Sequence, residues 1–376
     1  MLDYREFAVL DALRQGGAKS QRALSATAGI SLGAVNLTLR QLRYEGHVDG
    51  YDLTSEGLAA LEPHKVDNAV IMAAGMSTRF APISYERPKG LLVVKGEVLI
   101  ERMIRQLQAA GIEDITVVVG YKMEQFLYLE DAFGVRIAVN PEYETRNNHS
   151  SLKAVEHKLG NTYICSSDNY YMENVFSAYV HRGYYATVWQ DGPTDEWLVT
   201  SGSFDRITHA APGGRDGWAM LGEAYFDRAF SRRFVQILDR VYNEPATKGK
   251  LWEAVYTDHI ADLDLRARRY PPDTVHEFDS LDDLRGFDRD FIKNIDSSIL
   301  DNICRTLNVR REFLTGFEPI PLGLSNLSFR FSVEGGAEGV VREGAEKAAE
   351  HDAAAGAYVY RHPGVAGQGI INRRAE

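Results

Sequence analysis

Met72-Ala73-Ala74-Gly75-Met76-Ser77-Thr78-Arg79-Phe80, followed shortly by Arg87-Pro88-Lys89-Gly90-Leu91-Leu92, is the stretch that decides the fold. The run Val66 to Met72 before it reads as a buried strand. It leads into a loop of small residues whose backbone N–H groups can approach phosphates, with Arg79 and Lys89 projecting toward the same crevice. The spacing matches neither the Gly-x-x-x-x-Gly-Lys-Ser/Thr phosphate loop nor the Gly-x-Gly-x-x-Gly dinucleotide fingerprint. A turn with surface charges is the plainer alternative, but the order strand, small loop, Arg, Pro-Lys favours phosphate handling.

Working outward, Leu99 to Ala110 is an amphipathic helix closed by Gly111. Asp114 to Gly120, Val135 to Val139 and Thr162 to Cys165 are further apolar strands. Strands alternating with helices predict an α/β domain, a Rossmann-like, mostly parallel mixed sheet with helices on both faces. Ligands in such sheets gather at the carboxyl ends of the strands. Asp168, in Ser166-Ser167-Asp168-Asn169, falls at such an end, and an oxygen-seeking Mg2+ needs a carboxylate there.

The whole chain has 376 residues, too many for one ordinary domain, with a net charge of −11. A composition 44% apolar and 25% charged excludes disordered, collagenous and disulfide-built classes. No apolar run reaches the roughly 20 residues of a membrane helix. The charged start lacks a signal-peptide core, so the expected location is cytoplasmic, without membrane association. Cys165 and Cys304 have no second ligand at metal spacing and read as two reduced thiols.

Residues 1–63 form a separate pattern. Phe7, Leu10 and Leu13, then Leu24 and Ala28, then Val35, Leu39 and Leu42 mark three short helices, the third capped by Ser31. Gly46 to Thr54 suggests a two-stranded wing, and Ser55 to Leu61 a small helix. The order resembles a winged helix-turn-helix domain, which implies DNA as a partner through the helix from Ser31 to Tyr44. That helix begins without Arg or Lys, and the wing carries Asp49 and Asp52. Acidity there repels DNA, so a structural or dimerising role is the favoured alternative. The oligomeric state stays open, with a dimer among the options.

Between these flanks, about Val66 to Asp296 resembles the sugar-nucleotide pyrophosphorylase type of nucleotidyltransferase, and within it bacterial phosphocholine cytidylyltransferases. The loop carries the resemblance, with Ile115 to Phe126, Asn147-Asn148, Ser151-Leu152, Asp168-Asn169-Tyr170, Asp195-Glu196-Trp197 and Trp252-Glu253. It implies a domain over 66–297 that transfers CMP from CTP to phosphocholine, giving CDP-choline and pyrophosphate for phosphocholine decoration of surface glycans or lipids. Arg79 and Lys89 are implied as catalytic cations. Ala73, Ala74, Gly75, Tyr121, Asn148 and Ser151 are implied as nucleotide contacts. Asp168 and Glu253 are the implied Mg2+ ligands, Glu253 directly or through water unless it is a solvated helix carboxylate. A quaternary ammonium is recognised by ring faces, so Trp189, Trp197 and Trp252 with Glu196 are the implied choline site, the alternative being that these rings fill core. Other acceptors, phosphoethanolamine, an aminoalkylphosphonate or a sugar phosphate, remain open. So does a different class, a winged-helix transcription regulator with a nucleotide-sensing domain.

Residues 300–376 resemble the opening of a bacterial choline kinase, through Asn302 to Val309, Gly323 to Phe329, Tyr358 to Gly364 and Ile370 to Glu376. The resemblance implies an α+β kinase-like lobe in which Gly323-Leu324-Ser325-Asn326 and Arg361 would meet ATP phosphates. An insert from Ala337 to Ala357 takes the place of a tight hairpin, and no His-x-Asp-x-x-x-x-Asn catalytic loop is present. The expectation is a truncated lobe that does not phosphorylate choline.

Overall fold

A computed structural model describes residues 2–17, 19–320, 326–334, 337–344, 360–361 and 368–372. Three helices come first, α1 (Tyr4–Gln15), α2 (Gln21–Ala28) and α3 (Leu32–Tyr44). The short strands β1 (Val48–Asp49) and β2 (Asp52–Leu53) and helix α4 (Ser55–Leu61) complete this unit. Their boundaries follow local chemistry: Asp3 and Glu6 form a capping box on α1, Ser20 and Ser31 cap α2 and α3, and Gly29 ends α2 in the left-handed region. Leu10, Leu24, Val35, Leu39 and Leu42 are fully buried in the unit's own core.

The unit is attached by more than its linker. Val180 N donates to the His64 carbonyl oxygen at 2.9 Å and Val66 N to that of Ala178 at 2.9 Å. His64 stacks on His181 at 5.4 Å, and Phe7 lies 5.1 Å and 5.3 Å from the two rings. Burial holds both imidazoles below the usual histidine range, favouring neutral rings in this joint.

The central sheet begins with β3 (Asn68–Ala73). After it come a small hairpin of β4 (Val93–Val94) and β5 (Glu97–Val98), helix α5 (Leu99–Ala109), β6 (Ile115–Val119), α6 (Tyr128–Phe133) and β7 (Arg136–Val139). Helix α7 (His149–Ala154), β8 (Thr162–Ser166) and β9 (Asn169–Tyr171) precede two long strands, β10 (Tyr184–Ser201) and β11 (Ile207–Phe226). Helices α8 (Arg228–Val241) and α9 (Trp252–Asp258) and strands β12 (Arg266–Tyr270) and β13 (Val275–Glu277) follow. The seven-stranded order is β12-β10-β11-β8-β3-β6-β7. Strands β8, β3, β6 and β7 run parallel, whereas β11 is antiparallel to both β8 and β10.

One core lies on each face. On one, Ile100, Met103, Ile104 and Leu107 of α5 meet Ile71, Val117 and Val119. Each such side chain, fully buried, contributes roughly 1.5–3 kcal/mol. On the other, Phe234, Ile237 and Leu238 of α8 and Trp252 of α9 cover Val70, Val118 and Ile164. Beyond the sheet, β10 and β11 continue as a two-stranded ribbon through several register shifts. Asp191-Gly192-Pro193 and Pro212-Gly213-Gly214 interrupt the apolar alternation there, which hides both strands from a periodicity reading.

Helices α10 (Leu281–Phe287), α11 (Phe291–Asn294) and α12 (Ser298–Leu307) lead to a second sheet. Its strands are β14 (Leu314–Pro319), β15 (Asn326–Val333), β16 (Ala337–Gly344), β17 (Tyr360–Arg361) and β18 (Gln368–Asn372). Residues 337–344, expected as the start of an insert, form β16 and pair antiparallel with β15 from Val333↔Ala337 to Asn326↔Gly344. Residues 321–325, 335–336, 345–359, 362–367 and 373–376, and with them Gly323-Leu324-Ser325 of the expected ATP-phosphate segment, lie outside the described residues. Among the described residues no helix is long and apolar enough to cross a membrane.

Candidate active site

The carboxyl ends of β3 and β8 open onto a cleft of ≈ 580 Å³. Ala73, Ala74 and Gly75 line it, as do Lys89, Asn148, Ser151 and Asp168. Ser77 bends the loop in the left-handed region at φ 49°. Ser167 N donates to the Met72 carbonyl oxygen at 3.1 Å, which sets the tip of β8 beside the loop. At Gly90 the approach is so close that an added Cβ would lie 2.8 Å from Ser167 Cβ. Glycine there lets the Lys89 segment lie flat on the strand end.

Lys89 is 7% exposed, yet its ammonium is 2.8 Å from Asp168 Oδ2 and 4.6 Å from the Phe80 ring centre. Across Asp168 lies an acid that the sequence reading passed over. Strand β13 pairs with β9 so that Glu277 is opposite Asn169, whose Nδ2 donates to Glu277 Oε2 at 3.2 Å. Burial, and then the charge of Asp168, push the Glu277 carboxyl up to about 8. Two carboxylates in such a field favour either a proton or a cation between them. Their all-oxygen chemistry fits a hard divalent ion. Among the described residues no cluster of three or more metal-binding side chains occurs, so substrate phosphates and waters would complete such a shell.

Arg79 is on the rim, mostly exposed and paired with Asp279 at 2.6 Å. Glu196 belongs to the same field. Burial and the charge of Asp279 raise its carboxyl, while Arg79 and Lys89 pull it down.

Several expected roles are placed differently. Glu253 accepts from Tyr185 OH at 3.1 Å and from Asn148 Nδ2 at 3.3 Å, so both its oxygens are engaged away from Asp168. Burial alone pushes it up to about 7, whereas Glu277 is a buried acid on which the charge of Asp168 acts. Trp252 is 1% exposed and stacks on Tyr185 at 5.5 Å inside the second core, offering no face to a ligand. Trp189 is on the ribbon, edge-on to Trp218 at 5.6 Å, with its Nε1 donating to Asp191. Trp197 is partly buried against the second core. No ring contact joins the three, because cross-strand pairing on the ribbon and packing under α9 send them to different surroundings.

Tyr121 spans the loop instead of facing the cleft, its N donating to the Ala74 carbonyl oxygen at 3.1 Å and its OH to that of Ser84 at 3.0 Å. Ser151 receives a hydrogen bond from Asn140 Nδ2 at 3.1 Å, and Asn148 Oδ1 receives one from Trp252 N at 2.7 Å. Both are therefore held by neighbours as they line the cleft. The signal for Glu277 was readable: Val275-His276-Glu277-Phe278-Asp279 is a short alternating strand that ends in acids.

A small-residue loop at a parallel strand end, a buried lysine and an acidic pair make up the working parts of a nucleotidyltransferase. The family model for the MobA-like NTP transferase domain matches residues 69–223. A choline-phosphate cytidylyltransferase of Streptococcus pneumoniae is 32% identical over 226 residues, 60% of this chain and 98% of that protein. A 2-aminoethylphosphonate cytidylyltransferase of Lancefieldella rimae is 36% identical over 229 residues, 60% of this chain and 93% of the relative. The solved CTP:phosphocholine cytidylyltransferase of Streptococcus pneumoniae superposes with a TM-score of 0.57 at 32% identity, covering 59% of this chain and 97% of its own. The chain belongs to this cytidylyltransferase family of nucleotidyltransferases.

Proposed function

We propose that the protein transfers CMP from CTP to phosphocholine and releases pyrophosphate. The observation that carries the reading is the buried Lys89 on Asp168, with Glu277 beside them, at the mouth of the small-residue loop. A phosphate oxygen of the acceptor attacks the α-phosphorus of CTP. A new P–O bond forms as the bond to the β-phosphate oxygen breaks, and its electron pair leaves with pyrophosphate. The acceptor dianion needs no general base. Lys89 neutralises charge at the phosphates, Arg79 swings from Asp279 to the departing pyrophosphate, and the backbone of Ala73 to Gly75 holds the nucleoside end. Asp168 and Glu277 would hold Mg2+, which when bound supplies further neutralisation of phosphate charge. Glu196 offers a carboxylate to the cationic end of the acceptor.

A second acceptor is favoured by one observation. Because Trp189, Trp197 and Trp252 do not converge, a primary ammonium, as in 2-aminoethylphosphonate, competes with the trimethylated one. Incubation with CTP, Mg2+ and a panel of both acceptors and sugar phosphates, with pyrophosphate release measured, decides. No release with any acceptor ends the enzyme reading.

For the flanks, we take residues 1–63 as a winged helix-turn-helix unit in a structural role. In its third helix Leu37 is 61% and Tyr44 93% exposed, and Asp52 on the wing pairs with Lys19. Salt-sensitive DNA binding in a gel-shift assay would overturn this. Residues 300–376 are taken as kinase-like, and the protein is placed in the cytoplasm.

A further inference from the structure

The loop that carries Arg79 and Lys89 lies against Ser167 and Asp168 at Lys89 and Gly90 and puts Leu91 into the first core, but other apolar side chains of the loop go elsewhere. Phe80, Ile83, Leu92 and Val94, each 1% exposed or less, belong to a third core. Ala81, Leu99, Tyr170 and Phe278 belong to it too, and its other members come from residues 281–320 and 326–333, among them Leu284, Ile292, Leu300, Leu314, Phe317 and Phe331. That segment begins well past the 69–223 span of the family model. The catalytic loop is thus built into the core of the chain's C-terminal part.

Three polar and aromatic joints fasten the two. The Glu86 carboxylate caps the start of α12, accepting from Ser298 Oγ at 2.6 Å, from Ile299 N at 3.1 Å and from Ser297 Oγ. The Tyr85 ring meets Phe329 edge-on at 6.1 Å. At the far end of the loop, Lys95 N donates to Asp288 Oδ2 at 2.7 Å, and Lys95 Nζ is over the Phe287 ring at 3.7 Å. Phe287 in turn packs on Tyr170, two residues from Asp168. The collar therefore touches both the cationic loop and the strand behind the acidic pair.

We propose that residues 281–320 and 326–333 act as a positioning collar for nucleotidyl transfer, with Glu86 as the residue that keys the catalytic loop into it. The order of this segment then sets how well Arg79 and Lys89 meet the nucleotide. Displacement of a positioned group by about 1 Å can cost about 100-fold in rate, so a collar that shifts the loop is a strong control on turnover. The proposal rests on the nucleotidyltransferase reading.

The test uses the full chain with Glu86→Ala, Glu86→Gln and Phe317→Ala. Readouts are CTP affinity by calorimetry with Mg2+, kcat and KM from pyrophosphate release, thermal melting, and hydrogen exchange of the amides of residues 78–92. Glu86→Ala is expected to lower kcat/KM for CTP by about 10- to 100-fold and to speed exchange in 78–92, with the KM for the acceptor little changed. Glu86→Gln, which keeps an acceptor for Ser298 and Ile299, is expected to recover most of this. Phe317→Ala should reproduce the loss from the other side of the joint. Wild-type CTP affinity, turnover and exchange in Glu86→Ala would overturn the collar. So would equal losses in the Ala and Gln variants that merely track melting temperature. A wild-type chain that binds no CTP, but whose loop exchange still rises in Glu86→Ala, would sink the nucleotide reading and leave the mechanical joint standing.

Discussion

Replacing Glu253 by Gln tests the interior reading of this residue most sharply. Its carboxyl titrates at about 7 in the folded protein against 4.5 for the ordinary group, because burial penalises the ionised form. The folded value is the higher one, so between these two pH values the native state holds a proton that the unfolded chain has released. Stability therefore falls as pH rises from 4.5 through 7 and is flat above that. A difference of two to three pH units corresponds to about 3 kcal/mol. Glutamine removes that penalty and its Oε1 can accept from Asn148 Nδ2, which Trp252 N fixes toward residue 253, but its Nε2 then meets the Tyr185 hydroxyl as a donor where a carboxylate oxygen had accepted. The mismatch costs about 1 kcal/mol. At pH 5 the wild type already carries about 1 kcal/mol of the penalty, so the variant should be about as stable as wild type there and about 2 kcal/mol more stable at pH 8.5. Urea unfolding of the ligand-free protein at both pH values measures this, and titrations elsewhere cancel in the difference. A stability difference of the same sign and size at both pH values refutes the reasoning.

Further outcomes follow from the cleft. Lys89→Met should lower kcat by about 100-fold or more and, by leaving Asp168 and Glu277 unneutralised, lower the melting temperature of the ligand-free protein; an active variant would remove Lys89 from the chemistry. Glu277→Gln should raise the Mg2+ concentration for half-maximal pyrophosphate release by about tenfold or more while Glu253→Gln leaves it unchanged, and the reverse pattern would restore Glu253 as the ligand. Gly90→Ala should reduce activity sharply, since its methyl would collide with Ser167; full activity would show that the loop can retreat. Trp197→Leu should raise the KM for phosphocholine more than that for CTP if this ring faces the acceptor, and equal effects would assign it to packing.

The parallel half of the sheet was legible because β3, β6, β7 and β8 are short apolar runs with turn residues between them, and Arg79, Lys89 and Asp168 sit at their ends. The antiparallel half was not. Strands β10 and β11 pair through bulges, and their glycines and prolines mimic loops. Glu253 and Glu277 show the same limit in the site. Both follow apolar or aromatic residues, but only the pairing of β13 with β9 tells which one meets Asp168. Trp252 was misleading for a physical reason: an aromatic on a short helix at the sheet's back fills core as readily as it lines a pocket. The third core was invisible because most of its members fall in two stretches far apart in sequence, one from Phe80 to Leu99 and one beginning at Phe278, with Tyr170 between them.

The stack of Phe7, His64 and His181 bears on how such proteins can be recombined. Half of this joint lies in the first 64 residues and half in the segment before β10, where the His181 ring also meets the Leu2 carbonyl oxygen at 3.2 Å and Tyr179 lies under Arg14 at 4.3 Å. A transplant of the amino-terminal unit alone onto another cytidylyltransferase would therefore arrive with an unmatched surface. Residues 178–182 would have to travel with it for the graft to seat.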